Sequence, residues 1–218
     1  MNTFYRQLPN QLTLLRLVLA AVFFVVLNCY RYDTGSPAWL LPAAILVFIL
    51  AALTDTFDGY LARRWHVESK FGRIMDPFCD KVLVIGAFVY LAGPRFIIPG
   101  AVDIGHVEFF SMATGIYPWM VAIILARELL VTAIRGELEG EGIRFGANVF
   151  GKLKMILQSI VIPIVLAIVY TLDYHPEGWR WLAWVRDVLV YLTVLATVLS
   201  GIPYITGAMK ATREPPAS

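Results

Sequence analysis

Asp55 and Asp58 are followed by Gly59, Ala62 and Arg63 and then, after eight intervening residues, by Gly72, Asp76 and Asp80. If both stretches are helical, the i,i+3 pair Asp55/Asp58 shares one face, and the i,i+4 pair Asp76/Asp80 shares a face of the next helix. Two helices joined by a short loop are neighbours, so the four carboxylates can converge across one groove. Converging anions repel, and they would protonate unless cations sat between them. Oxygen donors in this number suit a hard divalent cation, Mg²⁺, Mn²⁺ or Ca²⁺, with room for two ions. Gly59, Ala62 and Gly72 leave space for a bulky group to approach the backbone, and Arg63 offers a bidentate fork for phosphate. The competing arrangement makes the aspartates helix caps and ion-pair partners of Arg63, Arg64, Arg73 and Lys81. Four acids at this spacing inside apolar segments argue against it, because intramembrane acids are rare and mark function.

The elements that position them must be membrane-spanning. Hydrophobic residues make up 59% of the 218 and charged residues 16%, and the mean hydropathy is +0.69, too apolar for an ordinary soluble domain. A hydrocarbon core takes about 20 apolar residues in a helix. Such runs are found at 12–30, at 39–53 continuing into the first aspartates, at 81–93 if the helix begins near Phe71, at 117–125 continuing through Arg127 and Glu128, at 155–172 and at 188–209. The expectation is an all-α, polytopic membrane protein of six transmembrane helices with a polar cavity facing the cytoplasm. It forms a single domain over 1–218, with residues 1–9 as an interfacial segment ending at Pro9 and 210–218 as a polar tail.

Arg6, Arg63, Arg64, Lys70, Arg73, Arg135, Arg144, Lys152, Lys154, Lys210 and Arg213 fall at one set of helix ends, against Arg31, Arg95, Arg180 and Arg186 at the other. That bias makes the termini and the aspartates cytoplasmic, in the inner (cytoplasmic) membrane of a cell. Trp39, Tyr117, Trp119, Trp179, Trp181 and Trp184 form the outer aromatic belt. The run after Arg6 is span-length and no small-x-small site follows it, so a cleavable signal is not expected. The net charge of +2 gives no reason to invoke nucleic acid. Cys29 and Cys79 lie near opposite faces, and no disulfide is expected. The connection over 94–115, with Phe96, Ile97, Ile98, Phe109 and Phe110, is expected to lie on the membrane surface. Glu137, Glu139 and Glu141, spaced by Gly136, Gly140 and Gly142, read as a solvated turn.

The string D-x2-D-G-x2-A-R-x8-G-x3-D-x3-D is matched at every fixed position, and it resembles the signature of the CDP-alcohol phosphotransferases. The resemblance implies that Asp55, Asp58, Asp76 and Asp80 hold two divalent cations, Mg²⁺ or Mn²⁺. It also implies that a phosphatidyl-type group passes from a CDP-linked lipid to an alcohol with release of CMP, and that Asp80 also takes the proton of the attacking hydroxyl. Gly59, Ala62, Arg63 and Gly72 would face the CDP-lipid. The opening Asn10-Gln-Leu12-Thr13-Leu-Leu-Arg16 is similar to the N-x-L-T-x-x-R stretch of the same family, which places Asn10 and Thr13 at the nucleotide. Its alternative is an N-terminal cap at Asn10 with Arg16 snorkelling to the interface. Family resemblance further implies a homodimer.

Arg127, Glu128, Arg135, Lys152, Lys154 and Gln158 line the inner halves of the fourth and fifth helices. Arg127 and Arg135, eight residues apart, are near one face. Fixed positive charge beside an aspartate site implies an acceptor that itself carries phosphate. The stretches from Ala126 to Arg135 and from Gly151 to Gln158 resemble the bacterial phosphatidylglycerophosphate synthases, whose acceptor is glycerol 3-phosphate and whose lipid is CDP-diacylglycerol. Arg127, Arg135, Lys152 and Lys154 would then hold the acceptor phosphate. Met155 departs from the threonine expected in many relatives. The alternatives are a sister enzyme using another acceptor such as inositol phosphate, and a divalent-cation transporter, which would need polar groups on both leaflets.

Overall fold

The protein is described here by a computed structural model that covers residues 3–65, 70–99, 102–103, 106–107, 112–140, 149–175, 179 and 181–211. The side chains of 3–10, 55–65, 70–77, 80, 102–103, 106–107, 139, 149–150, 152 and 210–211 lie outside that description. Six α-helices are found among these residues: α1 (Thr3–Cys29), α2 (Leu40–Trp65), α3 (Lys70–Leu91), α4 (Pro118–Gly140), α5 (Val149–Tyr174) and α6 (Trp181–Ala211). Each contains one of the apolar runs, because an uninterrupted apolar stretch has no other way to satisfy its backbone away from water. The α1 segments 11–29, the α5 segment 153–174 and the α6 segment 181–209 are long and apolar enough to cross a membrane. Residues 40–54 of α2 and 81–91 of α3 are shorter apolar stretches continued by polar turns.

Several boundaries differ from the sequence expectation. α1 runs from Thr3 straight through Pro9, so Asn10 is mid-helix and cannot be an N-terminal cap. α3 begins at Lys70, close to the expected start near Phe71, which puts Pro77 in its interior and forgoes one helix hydrogen bond there. α4 starts at Pro118, where a missing donor costs nothing, and it continues to Gly140. Glu137 and Glu139 are therefore on its last turns and not in a loop, while Glu141 is outside the described residues. Gly136 is tolerated mid-helix among good helix formers.

The helices form a ring in which α1 touches α2 and α3, α2 touches α5, α5 touches α6, α6 touches α4 and α4 returns to α3. α3 also meets α5 across the middle. Phe23 of α1 packs on Phe48 of α2, with ring centroids 5.4 Å apart. On α3, Gly86 sits against the ring of Phe24, where a methyl group would collide, so these two helices can approach closely only because that position is glycine.

One end of the ring is tied by its loops. The Tyr30 hydroxyl donates to Asp173 Oδ2 at 2.6 Å, Asp33 N–H donates to Asp173 Oδ1 at 3.1 Å, and the Tyr174 hydroxyl donates to the Ser36 carbonyl at 2.6 Å. These bonds join the end of α5 to the α1–α2 connection. Trp39, Trp119, Trp179, Trp181 and Trp184 are exposed at the same end, as expected of an aromatic belt. The connection after α3 does not simply lie over this end. A 3₁₀ turn (Pro94–Phe96) and a two-residue antiparallel hairpin pairing Val102–Asp103 with His106–Val107 lead back to Met112, which bridges Ile97. Phe96, Met112, Ala113, Thr114 and Ile116 are buried. Their backbone polar groups are bonded inward: Ala113 N–H to the Phe96 carbonyl at 2.8 Å, and the Ala113 carbonyl to Arg186 NH1 at 2.5 Å. This segment plugs the bundle, because its apolar side chains reach the core once its backbone is satisfied.

Candidate active site at the aspartate end

Helices that alternate in direction bring the start of α1, the end of α2, the start of α3, the end of α4, the start of α5 and the end of α6 to the other end of the ring. The carboxylate motif is there, and each of its fixed positions is on helical backbone: Asp55, Asp58, Gly59, Ala62 and Arg63 on α2, and Gly72, Asp76 and Asp80 on α3. The i,i+3 and i,i+4 spacings are therefore helical spacings. The side chains of these eight residues, with those of Asn10 and Lys152, are outside the described residues. Among the described residues no group of three His, Cys, Asp or Glu forms a metal site.

α2 and α3 each touch both α1 and α5, and the four helices border a common cavity. That cavity, about 330 Å³, is lined by Arg16 from α1, Ala52 and Leu53 from α2, Leu83 from α3, and Met155 and Ser159 from α5, among others. Leu53 is two residues before Asp55, and Leu83 three after Asp80. The cavity therefore begins within a turn of both carboxylate pairs. Arg16 is 1% exposed and Thr13 2% exposed, so Arg16 points into the bundle and does not snorkel. Ile49, Leu53, Ile156 and Ile160 line the cavity and are exposed, which gives it an accessible apolar wall on α2 and α5. Met155, in place of the expected threonine, is part of this apolar wall.

The basic residues assemble around Glu128. Arg127 NH1 donates to Glu128 Oε1 at 2.9 Å, and Lys154 Nζ of α5 is paired to the same oxygen. The side chains of Arg127, Glu128 and Lys154 are only 10%, 11% and 8% exposed. Arg127 NH2 also donates to the Ser200 carbonyl of α6 at 3.3 Å. Arg135, two turns further on, donates from NH2 to the Tyr204 hydroxyl at 3.3 Å. Both guanidinium carbons lie over the Tyr204 ring, at 5.8 Å for Arg127 and 5.7 Å for Arg135. The shared helix face of Arg127 and Arg135 is thus real, and a residue on α6 marks it. Gln158 is buried with Nε2 donating to Thr197 Oγ1 at 3.2 Å, a tie between α5 and α6 and not a ligand position.

A bond connects this cluster to the aspartate helices. Lys81, the residue after Asp80, donates from Nζ to Thr132 Oγ1 at 2.5 Å, and Thr132 Oγ1 donates to the Glu128 carbonyl at 2.7 Å. Lys81 was a candidate ion-pair partner of the aspartates in the purely structural arrangement, and it is engaged with α4 instead. Sequence reasoning did not identify Thr132, Ser200 or Tyr204. The adjacent small residues Ser200 and Gly201 in an otherwise apolar α6 were the available signal: a methyl group at Gly201 would touch Arg127 Cγ at 3.5 Å, so this surface lets the arginine lie along the helix.

The family model described as CDP-alcohol phosphatidyltransferase matches residues 6–199. The chain is 32% identical over 206 residues to a Bacillus subtilis (strain 168) protein named CDP-diacylglycerol--glycerol-3-phosphate 3-phosphatidyltransferase, covering 91% of this chain and 93% of the relative. Proteins of the same name from Escherichia coli (strain K12), 31% identical over 92% of this chain and 94% of the relative, and Cereibacter sphaeroides, 36% identical over 72% and 62%, are similar as well.

Proposed function

Because the chain belongs to the CDP-alcohol phosphatidyltransferase family, we propose that it transfers the phosphatidyl group of CDP-diacylglycerol to the hydroxyl of glycerol 3-phosphate, giving phosphatidylglycerophosphate and CMP in phospholipid biosynthesis. The acceptor oxygen forms a bond to the phosphatidyl phosphorus, the bond from that phosphorus to CMP breaks, and Asp80 takes the hydroxyl proton. Asp55, Asp58, Asp76 and Asp80 would hold two divalent cations, Mg²⁺ or Mn²⁺. Four carboxylates on two helices beside one cavity, with Lys81 turned to Thr132, are a donor set that fits them. Such ions, when bound, neutralise charge on the diphosphate and the departing CMP. Arg63, Asn10, Thr13, Gly59, Ala62 and Gly72 would contact the CDP-lipid.

The observation that carries the acceptor assignment is the gathering of cations in the described cluster. Arg127, Arg135 and Lys154 come together beside Glu128 and Tyr204, at the same end of the bundle as the aspartates. Fixed positive charge of this kind suits a phosphate monoester, which carries about −1.5 to −2 near neutral pH. A neutral or cationic alcohol would not require it. Lys152 joins this set by its place one residue after Gly151. The accessible apolar wall of the cavity on α2 and α5 suits a lipid whose phosphates reach the aspartates while its chains stay in hydrocarbon. On this reading six helices span the inner membrane, with termini and site cytoplasmic, as the basic bias requires, and the protein acts as a homodimer.

The test is release of CMP from CDP-diacylglycerol by purified protein with Mg²⁺ or Mn²⁺, offered glycerol 3-phosphate, inositol phosphate, serine or no acceptor. Turnover with glycerol 3-phosphate above all others is the expected result. Inertness to it alongside turnover with another alcohol would remove the acceptor assignment.

A further inference from the structure

Tyr204 is a residue of α6 that no expectation placed near the chemistry, yet it is 4% exposed and lies under both α4 arginines. We propose that Tyr204 is a positioning residue for the acceptor's phosphate, its ring and hydroxyl holding Arg127 and Arg135 as a preset pair. The inference rests on the acceptor assignment above and adds the third helix of that site.

Arg127 is anchored at one edge by Glu128 and by the Ser200 carbonyl, whereas its Nε is buried with no hydrogen-bond partner. The face of a tyrosine ring supplies attraction to such a cation without consuming its N–H donors. Arg135 meets the Tyr204 ring and donates to the Tyr204 hydroxyl. A ring and a hydroxyl, unlike a carboxylate, do not themselves neutralise the cations they hold. Long flexible side chains held this way have less freedom to lose when the phosphate binds.

The fifth helix makes room for the arrangement. Gly151 faces the Tyr204 hydroxyl, and a methyl group there would stand 3.3 Å from that oxygen. Glycine at the head of the Gly151-Lys-Leu-Lys154 stretch therefore sets where the tyrosine tip sits, three residues before Lys154 pairs with Glu128.

The experiment measures acceptor and lipid kinetics separately in Tyr204→Leu, Tyr204→Phe and Gly151→Ala. Loss of ring and hydroxyl together should raise the KM for glycerol 3-phosphate about tenfold or more, with the KM for CDP-diacylglycerol unchanged and kcat at saturating acceptor largely kept. Tyr204→Phe, which keeps the ring, should recover most of this, leaving about a threefold rise. Gly151→Ala should raise the acceptor KM while thermal stability stays level or increases, since alanine is the better helix former. That split separates a positioning role from a structural one even if Tyr204→Leu folds poorly. An unchanged acceptor KM, or parallel losses in acceptor KM, lipid KM and melting temperature across the three variants, would overturn the inference.

Calorimetric titration of inorganic phosphate into detergent-solubilised protein keeps this result apart from the acceptor assignment. If the wild-type protein proves inert to glycerol 3-phosphate, that assignment falls, and the phosphate titration decides the role of Tyr204. A Kd about tenfold weaker in Tyr204→Leu supports it, and an unchanged Kd rejects it.

Discussion

The two ends of the helical ring handle polar groups in opposite ways. At the tryptophan end, each polar group named here is matched by a partner that ends the matter: Asp173 accepts from Tyr30 and Asp33, and Arg186 spans Asp187 and the Ala113 carbonyl. A connecting segment fills the remaining space with Phe96 and Met112. At the aspartate end, acids stand on two helices beside a cavity, and one buried carboxylate oxygen serves both Arg127 and Lys154. The first arrangement fixes the helices, and the second concentrates ionisable groups in apolar surroundings. Such groups are costly there and mark function.

Substitutions at the aspartate end should therefore abolish or redirect turnover, and substitutions at the other end should cost stability alone. The largest effect is expected for Asp80→Asn, a loss of CMP release of about a thousandfold or more with CDP-lipid binding largely kept. Asp55→Asn or Asp76→Asn should also weaken metal-dependent cytidine-nucleotide binding. Chelation should abolish wild-type turnover, and Mg²⁺ or Mn²⁺ should restore it. Normal turnover of Asp80→Asn would remove its role as base.

Next in size is Lys154→Ala, which leaves Glu128 with Arg127 alone. The KM for glycerol 3-phosphate should rise about ten- to a hundredfold, and the buried pair once broken should cost about 3 kcal/mol in a denaturant titration. Lys152→Ala should raise the same KM by less, with the lipid KM little affected.

At the tryptophan end, Gly115→Ala is the sharpest probe. Gly115 has φ +66°, and a methyl group there would press on Asp187 Oδ1 and on Arg186 Nε at 2.8 Å. A loss of about 1–3 kcal/mol of stability with both KM values unchanged is expected. A shifted acceptor KM would mean that the two ends are coupled after all.

The smallest effect concerns pH. Burial, and after it the Asp173 and Asp33 carboxylates, raise the Tyr32 phenol above its ordinary pKa, with Arg186 opposing. A raised pKa means that the folded state holds its proton longer than the unfolded chain does. The contribution is complete below about pH 10 and is lost as pH rises beyond it. Thermal scans from pH 8 upward should show the decline, and Tyr32→Phe should lessen it, with Tyr30 and Tyr117, whose phenols are raised as well, keeping part of it.

Much of this organisation was legible in residue order. Six apolar runs gave six helices, and the polar turns continuing α2 and α3 fell where Asp55, Asp58, Asp76 and Asp80 required them. The shared face of Arg127 and Arg135 was readable from spacing. The burial of 112–116 was not, because a loop's apolar residues carry no period that tells a surface segment from a plug. Nor was the continuity of α1 through Pro9, since proline more often marks a helix boundary than stands inside a helix, where it forgoes a backbone hydrogen bond.

The division has a physical origin. Hydrophobic runs and i,i+4 spacings act between near neighbours, so the sequence by itself determined the helices, their alternation in direction and the gathering of acids and bases at one end. Contacts such as Arg127 with Ser200, Arg135 with Tyr204 and Tyr30 with Asp173 join residues 73, 69 and 143 positions apart. Which helix face meets which is settled by packing around the whole ring, and tertiary structure alone decided that α6 stands beneath the two arginines.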